Sequence, residues 1–396
     1  MRNYTSIKNT TNNVKVNHSN PAGCTRCNLT DHYQFAEFNS QHECKYCQSF
    51  EEKIFKGLDQ LVKDVNLSEN EKIGITVSGG KDSIYMWGVL TELFGKDRVV
   101  AFSFYRPTIT HQMALENVKK AQAVLGTELV VHNDSKAFDR FKKNFGILLE
   151  NPDPAMVRVL LCVGCRYGIT ENLYKIGEKM GVTKFISGAS YLELAPFKEE
   201  LLQDKSPSGN IDDGLARGIE QYRGLDWEDN LSLILRDQKY KYKNNNTQGN
   251  NIASKGYKYT LFDFDNYVEN NPEYIQAVVK EKYGWDCPER SWHFDCIIEE
   301  FKDIFYYGLL GYTETDFKTS AMVRHNLLTK AQAHHRMLQN NLNLRYSFKK
   351  MTEMLSAYGM EEYTEQLAEF YRSSPFLENP DDGILGNDVT HLIKTC

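Results

Sequence analysis

The sequence predicts an α/β fold in which a doubly wound parallel sheet lies between a small N-terminal cysteine module and a helical C-terminal region. Strand and helix patterns alternate between residues 72 and 190, two CxxC pairs lie close together before residue 50, and helical periodicity dominates beyond residue 260. The 396 residues, 41% hydrophobic and 25% charged, suffice for two or three globular domains.

Composition and pattern divide the chain into five segments. The polar, Asn-rich start is typical of a disordered N-terminus, and the pattern of alternating strands and helices ends near residue 200. The predicted segments are a disordered N-terminus (1–20), a cysteine knuckle (21–50), the α/β domain (51–200), an insertion or loop region (201–260) and a helical C-terminal region (261–396).

Within the α/β domain, apolar runs rich in β-branched and aromatic residues predict four strands, separated by helical patterns. The predicted strands are 72–77, 98–105, 127–133 and 184–190. The predicted helices are 51–66, 82–94, 111–126 and 166–181. Because strands and helices alternate at this spacing, we expect a parallel sheet covered by helices on both faces.

Charge and hydropathy exclude some functions and favour a cytoplasmic location. The net charge of −6 provides no overall basic field that attracts nucleic acid. No apolar run approaches the ~18 residues of a membrane span, and the polar N-terminus lacks a secretory signal. We therefore expect no membrane partner. The Lys/Tyr-rich stretch 237–259 is interpreted as a solvated loop, with nucleic-acid contact as the alternative.

The motif SGGKDS, residues 78–83, follows the first predicted strand and opens a helix. Glycines there allow positive φ and close approach of the backbone to a ligand. The N–H groups of such a turn and the helix N-terminus together favour an anion. Ser78, Ser83 and Lys81 add hydrogen-bond donors, and Asp82 suits a magnesium ion. The motif therefore predicts a phosphate-binding loop.

This motif resembles the PP-loop of the ATP pyrophosphatase superfamily, whose fold is of the adenine nucleotide alpha hydrolase-like, HUP type. The resemblance implies that the chain binds ATP with Mg²⁺, splits it into AMP and pyrophosphate, and transfers AMP to a substrate oxygen. It implies catalytic roles for Lys81, Asp82 and Ser83. The nucleotide-binding residues implied by the resemblance are Ser78, Gly79, Gly80, Lys81, Asp82, Ser83, Phe102, Ser103, Phe104, Ser187 and Gly188. The 102–104 contacts are expected to be backbone contacts to adenine.

Four cysteines of the N-terminal module have the spacing of a structural zinc site. Cys24 and Cys27 form one CxxC pair, and Cys44 and Cys47 form a second one sixteen residues later. Each pair chelates through a turn, and four thiolates complete a tetrahedron around Zn²⁺. Since few other apolar residues lie in 21–50, metal binding is expected to supply the folding energy of this segment.

A third CxxC pair, Cys162 and Cys165, follows the third predicted strand and allows two interpretations. With Cys287 or Cys296 it would bind a [4Fe-4S] cluster through three thiolates, leaving one iron open to hold a sulfur atom. Alternatively, the pair binds a structural metal or no metal. Cys396 is assigned no role.

Three features of the chain together resemble the N-acetyl sugar amidotransferases of surface-polysaccharide (lipopolysaccharide) biosynthesis. They are the cysteine knuckle before the PP-loop, the CxxC after the third strand, and the segment 307–333. The resemblance implies conversion of an acetamido group on a nucleotide sugar into an acetamidino group. The chain lacks the cysteine arrangement of a glutaminase, so a separate glutaminase is expected to supply ammonia.

Two other functions remain open. The PP-loop, knuckle and three-cysteine pattern also resemble tRNA 2-thiolation enzymes, although the acidic net charge argues against an RNA partner. A non-catalytic zinc-binding scaffold is the third possibility, and it predicts no pyrophosphate release. The basic residues of 324–336 suit the phosphates of either acceptor or form one solvated helix face.

A few other residues are candidates for the site. Arg106 ends the second strand and either reaches the α-phosphate of ATP or forms a salt bridge. Glu193 points into the site or lies on the surface. The aromatic residues Trp285, Trp292 and His293 around the later cysteines are expected to pack in the core.

Overall fold

The computed structural model describes residues 23–222, 250–254, 257–288 and 295–382. Its six strands form one sheet in the order β3-β2-β1-β4-β6-β5. The strands are β1 (Ile73–Thr76), β2 (Val99–Tyr105), β3 (Glu128–Asn133), β4 (Lys184–Ser187), β5 (Asn250–Ser254) and β6 (Tyr257–Asp263). All neighbouring pairs are parallel except β5 and β6, which are antiparallel. The predicted α/β class with a parallel sheet is confirmed.

Helices cover the sheet and build the C-terminal region. In the first half of the chain they are α1 (Lys45–Gln48), α2 (Leu58–Val65), α3 (Lys81–Phe94), α4 (Gln112–Leu125), α5 (Ala137–Glu150), α6 (Val157–Leu161), α7 (Val163–Lys179), α8 (Phe197–Asp204) and α9 (Ile211–Gln221). Those that follow the sheet are α10 (Pro272–Tyr283), α11 (Ile298–Leu310), α12 (Glu314–Arg324), α13 (Lys330–Arg345), α14 (Phe348–Ala357) and α15 (Thr364–Ser373). None of the helices in these described ranges is long and apolar enough to span a bilayer.

Alternating side chains of β2 show why the sheet is buried on both faces. Val99 and Ala101 pack into a core shared with α3, α4 and α10, whereas Val100 and Phe102 pack on the opposite face with residues of α7. Successive strand residues point to opposite faces, so an apolar run such as VVAFSFY suits a strand with helices on both sides.

The strand order places the functional loops. The chain runs outward from β1 through β2 to β3 and then returns to β4 on the other side of β1. The loops after β1 and β4 therefore diverge, and a crevice opens between them at the carboxyl ends of the strands. In doubly wound sheets this switch point is where ligands bind.

Three elements differ from the sequence-based expectation. Helix α2 begins at Leu58 rather than near residue 51, because Gly57 has φ of +81° and the N–H groups of Lys56 and Gly57 bond to carbonyls of residues 266 and 267. Strands β5 and β6 lie in the segment expected to be an insertion or loop. Tyr259 of β6 is buried there and stacks on Tyr174 at 3.4 Å between ring centroids.

Candidate nucleotide site and cysteine centres

The loop between β1 and α3 is organised by its serines. Ser78 donates its backbone N–H to Ser83 Oγ at 3.2 Å, and the Gly80 N–H points to Ser78 Oγ at 3.3 Å. Ser83 in turn donates to the Gly80 carbonyl at 2.9 Å. Gly80 is the N-cap residue of α3, so the positive end of a 14-residue helix faces the loop. This arrangement suits a phosphate group.

Gly79 holds the loop against α4. Its φ is +90°, and a Cβ at this position would lie 2.1 Å from the carbonyl oxygen of Ala114. The Gly79 carbonyl accepts hydrogen bonds from Trp285 Nε1 at 2.9 Å and Asn117 Nδ2 at 3.4 Å. A residue with a side chain therefore does not fit here without moving the loop.

Lys81 and Asp82 form an ion pair at the start of α3. Lys81 Nζ lies 2.6 Å from Asp82 Oδ2, and Lys81 is buried. Asn270 Nδ2 donates to Asp82 Oδ1 at 3.2 Å and to Ser190 Oγ at 3.1 Å. The Asp82 carboxylate is therefore held between the lysine and the segment that follows β6.

A cavity of about 230 Å³ opens beside this loop. Of the residues expected to bind the nucleotide, Ser78, Ser83, Phe104, Ser187 and Gly188 line it. The other lining residues are Thr76, Val77, Arg106, Thr110, Ile169 and Ala189. The structure thus brings the loop after β1, the end of β2 and the turn after β4 together.

The remaining expected nucleotide contacts lie away from this cavity wall. The Phe102 side chain is 1% exposed and packs against Phe185, and Ser103 is buried as well. Gly79, Gly80 and Lys81 are not among the lining residues. Backbone contact of 102–104 with adenine stays a prediction.

A second, small cavity next to Asp82 contains acidic residues that the sequence analysis did not identify. Asp265 and Glu269 line it together with Asn270. Asp265 Oδ2 accepts from Lys53 Nζ at 2.6 Å and from the Tyr191 N–H at 2.9 Å. Burial raises the pKa of Asp265. An acidic residue directly after a strand, as in FDFD, was the signal available in the sequence.

Arg106 joins the first cavity to a group of cysteines. The Arg106 guanidinium interacts with the Cys165 side chain. Burial alone would lower the pKa of Arg106, but its interactions with Cys296, Cys165 and Asp295 are larger and raise the pKa. Arg106 Nε is buried and has no hydrogen-bond partner among the described residues. Of the two predicted roles for Arg106, its position at the wall of the cavity favours contact with a ligand phosphate.

Cys162, Cys165 and Cys296 pack in one cluster, which we call the cysteine trio. Burial raises the pKa of Cys162 to about 11 and that of Cys296 to about 12, and Cys296 also interacts electrostatically with the other two thiols. Cys296 is held at the cavity by a backbone bridge to Thr110. Cys287 lies in a different cluster, where Gln276 Nε2 is 3.8 Å from its Sγ. The structure therefore places Cys296, and not Cys287, beside the CxxC pair.

The four N-terminal cysteines form a closed, buried group. Their sulfur atoms all lie within 4.8 Å of one another, and the Cys24–Cys47 and Cys27–Cys44 sulfur pairs are each 3.7 Å apart. Four sulfurs at ~2.3 Å from a tetrahedral ion are ~3.8 Å apart, so the donor set fits a single tetrahedral metal ion. In the described part of the chain, no other group of three or more such ligands is this compact.

The cysteine knuckle, residues 23–50, docks on the C-terminal region and on α8. Tyr33 contacts Phe317 edge-on at 4.7 Å between ring centroids, and Tyr33 and Tyr46 both donate to Glu200. Arg324 Nη1 donates to Cys27 Sγ at 3.4 Å. Through these contacts the conformation of the four-cysteine module affects the packing of α8 and of the C-terminal helices.

The other candidates are placed as follows. Glu193 pairs with Lys318 Nζ at 3.0 Å, next to the turn after β4, and Trp285 is buried as expected. Trp292, His293 and Cys396 lie outside the described residues. Of the predicted basic run, Lys330, His334 and His335 are exposed on α13. Arg336 on the same helix is half-buried, and Arg324 and His325 are half-buried against the knuckle.

The sheet, its switch-point loop and the cysteine knuckle define a doubly wound α/β protein with an N-terminal four-cysteine module. No protein-family profile matches the chain. The tRNA-5-methyluridine(54) 2-sulfurtransferase of Thermotoga maritima is 28% identical over 163 residues, covering 40% of this chain. The matched region spans about half (51%) of that relative.

Two solved structures superpose on this chain with low TM-scores. The U34-tRNA thiolase NcsA of Methanococcus maripaludis, with its [4Fe-4S] cluster, superposes with a TM-score of 0.33 and 14% identity over 80% of this chain and 88% of the thiolase. The NH3-dependent NAD synthetase of Campylobacter jejuni superposes with a TM-score of 0.28 and 17% identity over 48% of this chain and 94% of the synthetase.

Proposed function

We propose that this chain is an ATP-dependent enzyme of the PP-loop pyrophosphatase type. It transfers AMP to a carbonyl- or amide-type oxygen of its substrate and releases pyrophosphate. The main support for this proposal is the cavity at the switch point, where Ser78 and Ser83 at the N-terminus of α3 face Ser187 and Gly188. Backbone N–H groups and hydroxyls at this position suit the phosphates of a nucleotide.

In the first step the substrate oxygen attacks the α-phosphorus, and the bond to the bridging oxygen breaks with its electron pair leaving on pyrophosphate. The buried ammonium of Lys81 stabilises the charge that develops there. A magnesium ion would neutralise further phosphate charge. Asp82, Asp265 and Asn270 would hold it, since Asp265 Oδ1 and Asn270 Oδ1 are buried without hydrogen-bond partners in the described ranges.

In the second step a nucleophile displaces AMP, which leaves with the former substrate oxygen. The cysteine trio favours sulfide as this nucleophile, because it lies behind Arg106 at the wall of the same cavity. The three sulfurs do not all lie within 4.8 Å of one another, as those of the knuckle do, and three thiolates suit a [4Fe-4S] cluster with one open iron. When bound, such a cluster would hold the sulfur atom.

The acceptor in this proposal is a nucleobase carbonyl in RNA, as in the tRNA sulfurtransferase to which the chain is similar. Thiolation would convert the base carbonyl to a thiocarbonyl. The knuckle would hold one structural Zn²⁺, because its sulfur spacing fits a single ion.

A second candidate is amination of an acetamido group on a nucleotide sugar, with ammonia from a separate glutaminase. One observation favours it. The segment 307–333, on which the resemblance to amidotransferases partly rests, packs against the turn after β4 through the Lys318–Glu193 ion pair. That segment would then contact the acceptor next to the adenylation site.

Product analysis tests the adenylation step. Wild-type protein with ATP, magnesium and acceptor should form AMP and pyrophosphate, and Lys81→Ala and Asp82→Ala should each lower turnover by about 10²–10³-fold. Lys96→Ala, an exposed lysine two residues beyond α3, is the matched control and should keep full activity. ADP as the product, or wild-type turnover in both site variants, would refute the assignment, and absence of any pyrophosphate release would favour the scaffold.

Iron analysis of anaerobically purified protein separates the two nucleophiles. The sulfur route predicts a brown protein with about four irons per chain. Cys296→Ser should lose this iron and its visible absorption, while the Cys287→Ser control should keep both. A colourless protein containing only zinc would instead favour amination.

A further inference from the structure

Four aromatic rings form a continuous row on the surface beside the nucleotide site. Phe50 contacts His325 at 4.9 Å between ring centroids, His325 contacts Tyr191 at 4.7 Å, and Tyr191 contacts Phe55 at 5.8 Å. We call Phe50, His325, Tyr191 and Phe55 the aromatic row. All four are half-buried, so each ring keeps part of its surface in solvent. The interplanar angles of 54–79° mean that no ring is covered by a parallel neighbour within the row.

Cationic groups accompany the row at both ends. The Arg26 guanidinium lies 5.4 Å from the Phe50 ring at one end. Lys53 Nζ lies 5.9 Å from the Phe55 ring at the other end and 4.6 Å from the neighbouring Tyr191 ring. Burial, together with Arg324 and Lys53, lowers the pKa of His325. The nearby carboxylate of Glu52 acts in the opposite direction and raises the pKa of His325.

Tyr191, within the row, connects the row to the residues around the PP-loop. Tyr191 follows Gly188, which lines that cavity, by three residues. The Tyr191 N–H and Lys53 Nζ both bond to Asp265, next to Asp82 of the PP-loop. A ligand lying on the row therefore reaches the point where the nucleotide phosphates are expected.

We propose that the aromatic row binds successive bases of a single-stranded RNA segment and leads the acceptor base into the adenylation cavity. This inference rests on the proposed function and specifies its substrate class. Aromatic rings interleaved with cations are the usual platform for unpaired bases, since every base has a face that can stack and every nucleotide carries a phosphate. The row has four rings and a cation at each end, which exceeds what a single nucleotide covers.

RNA binding by the full-length, metal-loaded protein tests the inference. A fluorescently labelled, unstructured RNA of about 15 nucleotides is titrated without ATP, so that the result does not depend on adenylation. Tyr191→Ala and Phe55→Ala should each weaken binding about tenfold, because each removes one stacking surface. Tyr191→Phe keeps the ring and should bind like wild type.

The control is Tyr274→Ala, which removes another exposed aromatic residue, on α10 outside the row. It should bind RNA with wild-type affinity. Thermal unfolding of every variant identifies those that have lost their structure. Tyr191→Phe, which keeps the ring, distinguishes loss of the stacking surface from loss of the fold. Unchanged affinity of the folded Tyr191→Ala variant, an equal loss in Tyr274→Ala, or competition by a uridine-diphosphate sugar with no RNA binding would each overturn the inference. Normal adenylation combined with either of the first two results would leave the proposed function standing, whereas absence of RNA binding would remove its RNA acceptor as well and favour the amination candidate.

Discussion

Alanine substitutions at the two glycines of the PP-loop, Gly79 and Gly80, should have different effects. The conformation of the loop requires a glycine at position 79 and tolerates alanine at position 80. Gly79 has φ of +90°, and an added Cβ would lie 2.1 Å from the carbonyl oxygen of Ala114. Gly80 has φ of −71°, and its nearest neighbour, Ser78 Oγ, would lie 3.4 Å from a Cβ, an ordinary contact. Gly79→Ala is therefore expected to distort the loop, and Gly80→Ala is not.

The expected cost of Gly79→Ala follows from two effects. A residue with a Cβ at positive φ costs about 1–2 kcal/mol, and a side-chain atom forced into a packed backbone costs about 1–3 kcal/mol. Together they lower the free energy of unfolding by about 2–5 kcal/mol. For Gly80→Ala the weaker N-cap and the less flexible unfolded chain oppose each other, so we expect a change below about 1 kcal/mol.

Urea unfolding of both variants measures these energies, and calorimetric titration measures their ATP affinity. Gly79→Ala should unfold at lower urea and bind ATP more weakly, because its carbonyl also anchors Trp285. Wild-type stability and ATP affinity in Gly79→Ala, or equal damage in Gly80→Ala, would show that the loop does not have the described conformation.

Two further predictions concern pH and metal. Burial raises the pKa of Asp316 from 3.8 to about 6, so its stabilising contribution is present below pH 4 and is lost as the pH rises through 6. Relative to Asp316→Asn, the wild-type protein should therefore lose up to about 3 kcal/mol of unfolding free energy between pH 4 and 7. Urea unfolding measures this loss, and a pH-independent difference in unfolding free energy between the two proteins would contradict the raised pKa. Removal of metal by a chelator should lower the melting temperature and make residues 23–50 sensitive to protease, because the four thiols are buried around the ion site. Cys287→Ser, outside the knuckle, should keep one zinc per chain, and an unchanged proteolysis pattern in the chelated protein would argue against a structural metal.

Much of the fold could be predicted because local pattern and tertiary structure agree. Apolar runs such as VVAFSFY have no stable alternative to a strand buried on both faces, and SGGKDS directly after such a run fixes the loop at the carboxyl end of β1. The CxxC spacing also predicted the knuckle. Each pair forms a chelating turn from neighbouring residues, so only the two turns have to meet around one ion.

Other features depend on contacts between distant segments. Cys287 and Cys296 both lie far from Cys162 in the sequence, which does not distinguish them, and only the bridge between Thr110 and Cys296 selects one of them. Strand β6 was not predicted because alternating Lys and Tyr suits a solvated loop. In the structure this strand lies between β4 and β5, and its Tyr259 packs on Tyr174. Asp265 and Asn270 approach the PP-loop only through the strand order.

The docking of the knuckle has a consequence for synthesis of the protein. Asn28 Nδ2 donates to the carbonyl of Lys330, a residue 302 positions later in the chain. The metal ligands therefore leave the ribosome long before the helices on which the module rests. Because chain segments fold as they emerge, loading of the ion would precede docking of the module on these helices, and a shortage of metal would affect the first step of folding before the last.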